Sequence, residues 1–569
     1  MKKWQEEFRF FSRNKIYILM LCFTAVCAYG FKVTHVTIGI DDTPYRYYFE
    51  EGLAAIVGRW VMFLLNKVVH ISEFAPFLTD FAGVILLMIA VTVWAALFRS
   101  ILGNKVPDYG YYFFSCVFLS CPLISEVFTY FLHNGIATGY LCCGISLCCF
   151  REGMLRWDER KTENAKKLPG YCVSFVGAAA FLWIALGCYE SFMVVWLVGS
   201  CLLLLVERFA GVRRKMLRIL CAVTLVAVVG LVLRSAMIAL VTGVFHLESL
   251  KEEAIQRSVT EMLGWMFEEN AFAEFAMALK RVFVMYGVFA YAYYPIRIFV
   301  LASVAVGAFA IWRSISQRDG WIFLLTCGSY VAAFLLVLVE GSVTLYRSAQ
   351  FLPVICGFGA LVAVYAVSGI GSRCENSKSG GKAWLGGAAK VCRWITGLAL
   401  VVVLWNQCAD MNRWFYVDYK KYESAKEVIT QIAYDLEREY DLSKPVVFTS
   451  TYEIPKGIIE DAYVPYGSET FYKMKRITDL VDEHLLEKFY RTYGVWVAQT
   501  PALSLIDWAR YAFGDDSELT QFFHMHGHEL QPLLDTELYD IAEQYSLSLP
   551  HFPEEGYIAD MGEYIIVHL

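Results

Sequence analysis

The sequence has little charge and none of the common nucleotide-binding motifs. Only 18% of its 569 residues are charged, whereas 57% are hydrophobic. It contains no Walker loop and no GxGxxG after a predicted strand, so nucleotide recognition is unsupported. No cysteine pair has zinc-site spacing, and most of the 17 cysteines lie within apolar segments, which is typical of small buried side chains.

Long apolar segments make up most of the sequence. Several reach about 20 residues with almost no charge, the length needed to cross roughly 30 Å of hydrocarbon. The basic residues between Lys2 and Lys15 precede the first of these segments, which has no small-residue cleavage site. This pattern predicts a signal anchor with a cytoplasmic N-terminus.

We predict about eleven membrane spans, with the C-terminus outside, because basic residues recur in alternate loops. The region 282–313 fits either one tilted helix or a re-entrant segment, broken near Pro295, followed by a span. The turn His133-Asn134-Gly135 joins the third and fourth spans, and Ser372 to Lys382 predicts a flexible cytoplasmic loop. The spans are expected at about 16–35, 77–98, 111–131, 136–150, 171–188, 192–206, 219–242, 282–313, 320–339, 350–369 and 391–406.

The C-terminal part of the chain differs in charge from the rest. Residues 408–569 hold 29 acidic and 13 basic side chains, whereas residues 1–407 hold 26 and 36. We therefore predict a mainly α, polytopic membrane protein in residues 1–407 and an extracytoplasmic α/β domain in residues 408–569. Within this domain the patterns predict helices at about 419–440, 476–490 and 501–513, a strand from Pro445 to Thr449, and a closing hairpin from Tyr557 to Val567.

Ionisable residues gather near the predicted outer boundary of the membrane. Charge at membrane depth is costly and points to function. Glu126 and His133 are seven residues apart, which predicts that they share one face of the third span. The first loop, 36–75, also holds a stretch typical of a surface helix, Tyr45 to His70. The candidate site residues are Asp41, Asp42, Arg59, Glu126, His133, Tyr189, Glu190, Arg234, Glu340 and Arg347.

Each candidate also has a purely structural interpretation. Asp41 and Asp42 could cap the surface helix, and Glu126 could form a hydrogen bond between helices. Arg234 could extend to the lipid headgroups or pair with an acid. The remaining arginines, Arg59 and Arg347, could be ordinary surface charges. The run from His524 to His528 resembles a metal-binding tract, but no further ligand pattern lies nearby, so a solvated loop is favoured.

Acidic residues and arginines of this kind suit the transfer of a sugar from a lipid phosphate. The reaction needs a base for the acceptor hydroxyl and cationic help for the leaving phosphate. A carboxylate beside a second carboxylate, partly desolvated, holds its proton more readily, which suits a base near neutral pH. Arginine matches phosphate with a planar fork that lysine cannot reproduce.

Four local motifs of the chain match those of a known family. They are Gly39-Ile40-Asp41-Asp42 with Gly58-Arg59-Trp60, Pro122 to Glu126 with Phe128-Thr129-Tyr130, Tyr189-Glu190-Ser191, and the segment from Pro550 through Gly556 to Val567. By these motifs the chain resembles the GtrII-type membrane glucosyltransferases, a family with the GT-C architecture. The order of the spans and the predicted extracytoplasmic position of the C-terminal domain also agree with this family. In Tyr189-Glu190-Ser191 a glutamate stands where the family usually has glutamine.

The resemblance implies a polyprenyl-phosphate-linked sugar donor, often of glucose, and a cell-surface glycan acceptor. It implies that Asp41 or Asp42 is the catalytic base and that the other orients the acceptor or a metal. Arg59 and Arg347 would contact the phosphate. Glu126, His133, Tyr189, Glu190 and Arg234 are the other substrate-binding candidates. The aspartates could hold Mg²⁺ or Mn²⁺, but two carboxylates are too few to define a metal site.

The sequence thus predicts a glycosyltransferase on the outer face of a bacterial plasma membrane, with no nucleic-acid partner. A transporter or flippase of lipid-linked glycans is the alternative, and it would need polar or broken helices at the midplane. Only Arg234 lies deeper than the boundary. A non-catalytic surface protein, whose acidic tail binds cations or wall polymers, would leave the aspartate pair without a role.

Overall fold

The computed structural model is dominated by helices. It describes residues 3–37, 52–69, 75, 77–129, 133–159, 170–247, 264–268, 270–283, 297–341, 348–375, 383–450, 452, 483–492 and 516–569. The first eleven helices are α1 (Lys3–Arg13), α2 (Lys15–Thr34), α3 (Leu53–Ile56), α4 (Trp60–Val69), α5 (Leu78–Leu102), α6 (Asp108–Leu119), α7 (Leu123–Thr129), α8 (His133–Glu159), α9 (Gly170–Cys188), α10 (Phe192–Phe209) and α11 (Met216–Val244).

The second half of the chain adds further helices and three strands. The helices are α12 (Ala271–Phe283), α13 (Arg297–Gln317), α14 (Gly320–Ala333), α15 (Leu335–Glu340), α16 (Leu352–Glu375), α17 (Ala383–Glu439), α18 (483–492), α19 (Asp516–Met525) and α20 (Thr536–Ser546). The strands are β1 (Val446–Thr449), β2 (Ile558–Asp560) and β3 (Ile565–His568).

Within the described residues, 8 helices are long and apolar enough to cross a membrane. They lie in α2, α5, α9, α10, α11, α13, α16 and α17, and each overlaps a predicted span. The prediction of a mainly α, polytopic membrane protein is therefore confirmed, whereas the count of eleven spans stays a prediction. In the ambiguous region 282–313, residues 297–313 belong to α13, and residues 284–296 lie outside the described residues.

The third predicted span is broken into two helices. α6 ends at Leu119 and α7 begins at Leu123, with Pro122 between them. Proline has no backbone N–H and disfavours helix in the residue before it, so the break falls where the sequence dictates.

The predicted turn at His133-Asn134-Gly135 is instead the first turn of α8. The Asn134 side chain donates a hydrogen bond to the Thr79 carbonyl (3.3 Å). The prediction that Glu126 and His133 share one face of one helix is therefore wrong, because they lie in different helices, α7 and α8.

The loop predictions also need correction. The basic loop after the fourth span starts later than expected, because α8 continues to Glu159. The surface stretch of the first loop contains two short helices, α3 and α4. The first part of α4 is buried, whereas Lys67, Val68 and Val69 at its end are exposed, and its position on the membrane surface stays a prediction. In α4, Trp60 is 5% exposed and Phe63 is 1% exposed. Of the predicted flexible loop from Ser372, the first residues belong to α16, and residues 376–382 lie outside the described residues.

Small residues let α8 pack closely against α10. A Cβ on Gly139 would lie 2.0 Å from a ring carbon of Phe192. The Phe192 ring also meets Tyr140 edge-on, with centroids 5.1 Å apart. Nearby, the Trp196 indole donates to Ser146 Oγ (2.8 Å), so this buried indole N–H is paired.

We expect Gly139→Ala to lower the free energy of unfolding by about 1–3 kcal/mol, because the added methyl overpacks this contact. Thermal unfolding in detergent measures the effect. Gly307→Ala in α13 is the matched control, since nothing lies within 4 Å of its added Cβ. Equal melting temperatures for the two variants would contradict the close packing.

One continuous helix leads from the membrane part into the C-terminal part of the chain, residues 408–569 (the tail). α17 has 57 residues and includes the last predicted span and all but the last residue of the predicted helix at 419–440. It crosses the predicted domain boundary at residues 407 and 408 without interruption, so the division at this boundary stays a prediction.

The described part of the tail forms a small α/β unit. β1 pairs parallel with β3, and β2 pairs antiparallel with β3, as expected for the predicted strand and hairpin. One sheet face packs on α17 through residues such as Ile429 and Ile432, and the other packs on α20 through Ala542. The helix predicted at 476–490 overlaps α18, whereas the one at 501–513 lies outside the described residues.

Candidate functional site

Four of the predicted site residues meet at one end of the helix bundle. Arg59 immediately precedes α4, in a turn where its backbone N–H donates to the Ala54 carbonyl (2.7 Å). The Arg59 guanidinium lies over the Tyr189 ring, 4.4 Å from its centroid. Its Nη2 is 3.9 Å from Glu190 Oε1. The cation–π contact with Tyr189 therefore orients Arg59 more than the half-exposed ion pair does.

Arg234 reaches the same place from α11. Its Nε donates to the carbonyl of Leu186 (3.3 Å), in the last turn of α9. Carbonyls at a helix C-terminus lack intrahelical partners and carry partial negative charge, so a guanidinium is favoured there. Arg234 is intermediate in exposure, and the hydrogen bond to Leu186 uses one of its five N–H groups.

Gly58 makes room for Arg234. Its φ is +93°, and a Cβ at this position would lie 1.9 Å from Arg234 Nη2. Only glycine combines this backbone conformation with so close an approach. The sequence Gly58-Arg59-Trp60 therefore supplies Arg59 and, through Gly58, leaves room for Arg234.

Aromatic side chains lie next to the arginines. The Trp60 and Trp183 rings pack with centroids 4.9 Å apart. A Cβ on Gly187 would lie 2.4 Å from Trp60, so α4 and α9 are in close contact. Within the part of the chain that the structure describes, neither buried indole N–H has a hydrogen-bond acceptor. Trp183 was not among the predicted site residues, because a tryptophan within an apolar span carries no distinctive signal.

The arrangement concentrates positive charge at this end of the helix bundle. Arg59 and Arg234 contribute two guanidinium groups, and Glu190, with its side chain 48% exposed, contributes one carboxylate. Two planar forks on one side of a partly exposed site can bind the oxygens of a phosphate.

The other predicted site residues are not part of this cluster as described. Asp41, Asp42 and Arg347 lie outside the described residues, as do the side chains of His133 and Glu340. Glu126 is 1% exposed on α7, which packs chiefly against α8, α16 and α17. Its buried position is compatible with the helix-packing interpretation as well as with a site role.

A buried polar chain holds the start of the segment that leads to the aspartates. Lys32 Nζ donates to Thr37 Oγ1 (2.7 Å), and Thr37 Oγ1 donates to Asp418 Oδ2 (2.7 Å). The three side chains are 2–5% exposed. They tie the end of α2 to α17 just before the segment with Asp41. The sequence analysis missed them, although a lysine in the last turn of an apolar span is itself a signal.

Metal binding finds no support among the residues that the structure describes. No group of three or more His, Cys, Asp or Glu side chains there could hold a metal ion. Asp41 and Asp42 are outside that set.

The chain matches a known family. The family model described as glucosyl transferase GtrII matches residues 30–364, more than half of the chain. The matched region runs from the end of α2 into α16 and contains Arg59, Tyr189, Glu190 and Arg234. No curated protein and no solved structure gives a significant match.

Proposed function

This chain belongs to the glucosyl transferase GtrII family, and we propose that it moves glucose from a polyprenyl-phosphate donor to a cell-surface glycan. The chain is a membrane-embedded glycosyltransferase by family and by its apolar helices. We place the reaction on the extracytoplasmic face of a bacterial plasma membrane. The positive-inside rule supports this orientation of the membrane helices. It predicts that the basic loops are cytoplasmic, and Arg59 and Arg234 (the arginine cluster) lie at the end of the bundle opposite these loops.

The convergence of Arg59 and Arg234 is the observation that carries the proposal. A glycosyl phosphodiester has one negative charge, and the phosphate gains a second as the sugar leaves. Guanidinium groups beside it therefore bind the transition state more tightly than the ground state. Glu190 and Tyr189 hold Arg59 in place through the ion pair and the ring contact.

The proposed reaction is a direct displacement at the anomeric carbon. The acceptor hydroxyl oxygen forms the new bond while the carbon–oxygen bond to phosphate breaks, and its electron pair leaves with the phosphate. The acceptor proton passes to the carboxylate of Asp41 or Asp42, and the second aspartate orients the acceptor. Lipid phosphate and the glycosylated acceptor are the products.

A panel of lipid-linked sugars tests the proposal. Purified protein in nanodiscs is incubated with polyprenyl-phosphate glucose, galactose or mannose and a glycan acceptor, with and without a chelator. Release of lipid phosphate with the glucosyl donor is the expected result. Absence of release with every donor would refute the proposal, and loss of release on chelation would add a divalent cation.

The break between α6 and α7 is the feature that a flippase would share, because transporters use interrupted helices near the midplane. Vesicles loaded with lipid-linked sugar separate the two functions. Crossing of the intact donor, with no covalent change, would favour transport over transfer.

Gly58→Ala tests the role of the arginine pair without removing a charge. The added methyl displaces Arg234, so we expect kcat to fall about tenfold, the effect of losing one charge-assisted hydrogen bond to the developing phosphate charge. Initial-rate kinetics measure it. Gly243→Ala in α11 is the control, since its added Cβ meets nothing within 4 Å. An unchanged kcat for Gly58→Ala would show that the position of Arg234 is irrelevant to sugar transfer.

A further inference from the structure

A small cavity opens at the other end of the bundle, where the basic loops lie. It has a volume of about 50 Å³ and lies between the end of α8 and the start of α11. α8 contributes Met154, Trp157 and Asp158 to its lining. The residues around the start of α11 contribute Arg214, Lys215 and Arg218.

Arg214 and Asp158 in the cavity lining belong to a charge-balanced cluster that extends beyond the cavity to Glu207 and Arg151. Arg214 Nε donates to Glu207 Oε2 (2.9 Å), and its Nη1 contacts Asp158. Arg151 Nε lies 3.5 Å from Glu207 Oε1. Two arginines thus face two carboxylates, and this cluster leaves no net charge to attract a ligand.

Two further cations at the cavity are not compensated. Lys215 and Arg218 are exposed, and no acidic side chain pairs with either in the part of the chain that the structure describes. Both lie at the N-terminus of α11, a helix of 29 residues whose first N–H groups receive no side-chain cap. The cavity therefore combines two free positive charges with backbone donors that favour an anion.

The surroundings of the cavity are those of a membrane interface. The Trp157 side chain is 36% exposed, and its ring stacks on Tyr171 with centroids 6.0 Å apart. Aromatic residues gather at the level of the lipid headgroups. Leu225 and Val232 follow Arg218 at helical spacing and are 64% and 62% exposed. An apolar strip on α11 therefore runs from the two cations into the hydrocarbon.

We propose that this cavity binds the headgroup of an anionic phospholipid. The phosphate lies between Lys215 and Arg218 beside the first turn of α11, and an acyl chain follows the apolar strip. A lipid fits better than a free phosphate because the charged and apolar surfaces are continuous. Arg218 and Arg234 are separated along α11 by about 24 Å at 1.5 Å per residue. The lipid site is thus distinct from the arginine cluster and does not depend on the proposed reaction.

Lipid titration followed by native mass spectrometry tests this assignment. The full-length protein is titrated with phosphatidylglycerol and, separately, with phosphatidylcholine. We expect saturable, preferential binding of phosphatidylglycerol. Each of Lys215→Gln and Arg218→Gln should weaken it about fivefold, because a cation near an anionic lipid contributes about 1 kcal/mol. The double variant Lys215→Arg with Arg218→Lys keeps the charge and should keep binding.

Arg213→Gln is the matched control, because Arg213 is a basic neighbour whose Nη2 donates to the Gln317 carbonyl (2.9 Å). It should leave binding within twofold. An equal loss in this variant would mean general attraction to basic loops and would overturn the assignment. Equal binding of the two lipids by the unmodified protein would also overturn it. Competition by glycerol 3-phosphate at matched concentrations would identify a soluble phosphate as the ligand instead.

Discussion

Asp41→Asn and Asp42→Asn are each expected to reduce the rate of sugar transfer, and the substitution at the catalytic base should reduce kcat by about 10²–10⁴-fold. The asparagine amide cannot take up the proton of the acceptor hydroxyl, although it keeps the size and most hydrogen bonds of the carboxylate. The variant at the orienting aspartate should instead raise the KM for the acceptor. Initial rates of lipid phosphate release, with donor and acceptor varied in turn, separate the two roles.

The control for these variants is Asp108→Asn, at the opposite end of the bundle, where the carboxylate pairs with Arg99 (3.1 Å). It should retain transfer. Membrane yield and melting temperature should be unchanged for Asp41→Asn and Asp42→Asn. If both variants transferred glucose at the normal rate, neither aspartate could be the base.

Removing either arginine of the cluster should give the second large effect. We expect Arg59→Gln and Arg234→Gln each to lower kcat by about 10²–10³-fold, the usual loss when one group that stabilises a developing anion is removed. Arg59→Lys should recover part of the rate, since it keeps the charge but not the fork. Steady-state kinetics with the glucosyl donor measure all three variants.

Arg438→Gln is the control for the arginine substitutions, because its side chain is 58% exposed on the tail helix. A phosphate role predicts that the loss falls mainly on kcat, where the charge develops. A fall in melting temperature that matched the fall in activity would indicate a packing role for Arg59 and Arg234 instead.

Hydropathy predicted the membrane helices well because lipid imposes a simple rule. A segment such as Gly170–Cys188 has no charge along its length, and its bounds follow directly from the flanking residues. The break at Pro122 and the start of α8 at His133 depend on local backbone chemistry, which hydropathy averages out. The continuity of α17 could have been predicted, since no proline or glycine lies between Trp405 and Asp418.

The candidate site was predictable in its residue types but not in its contacts. Glycine, arginine and tryptophan at positions 58–60 carried a local signal. That Arg234 packs against Gly58 depends on the packing of α11 beside the first loop, which no local pattern encodes. The same holds for Thr37 and Asp418, because their hydrogen bond joins residues 381 positions apart.

A helix as long as α17 measures about 85 Å at 1.5 Å per residue, far more than the hydrocarbon thickness of roughly 30 Å. Because α17 continues from the last predicted span into the tail and packs on its sheet, it fixes the position and the orientation of that sheet relative to the span. One residue inserted after Trp414 would swing everything beyond it by about 100° and carry Asp418 away from Thr37. The number of residues in α17 therefore determines the rotational orientation of the tail about the helix axis.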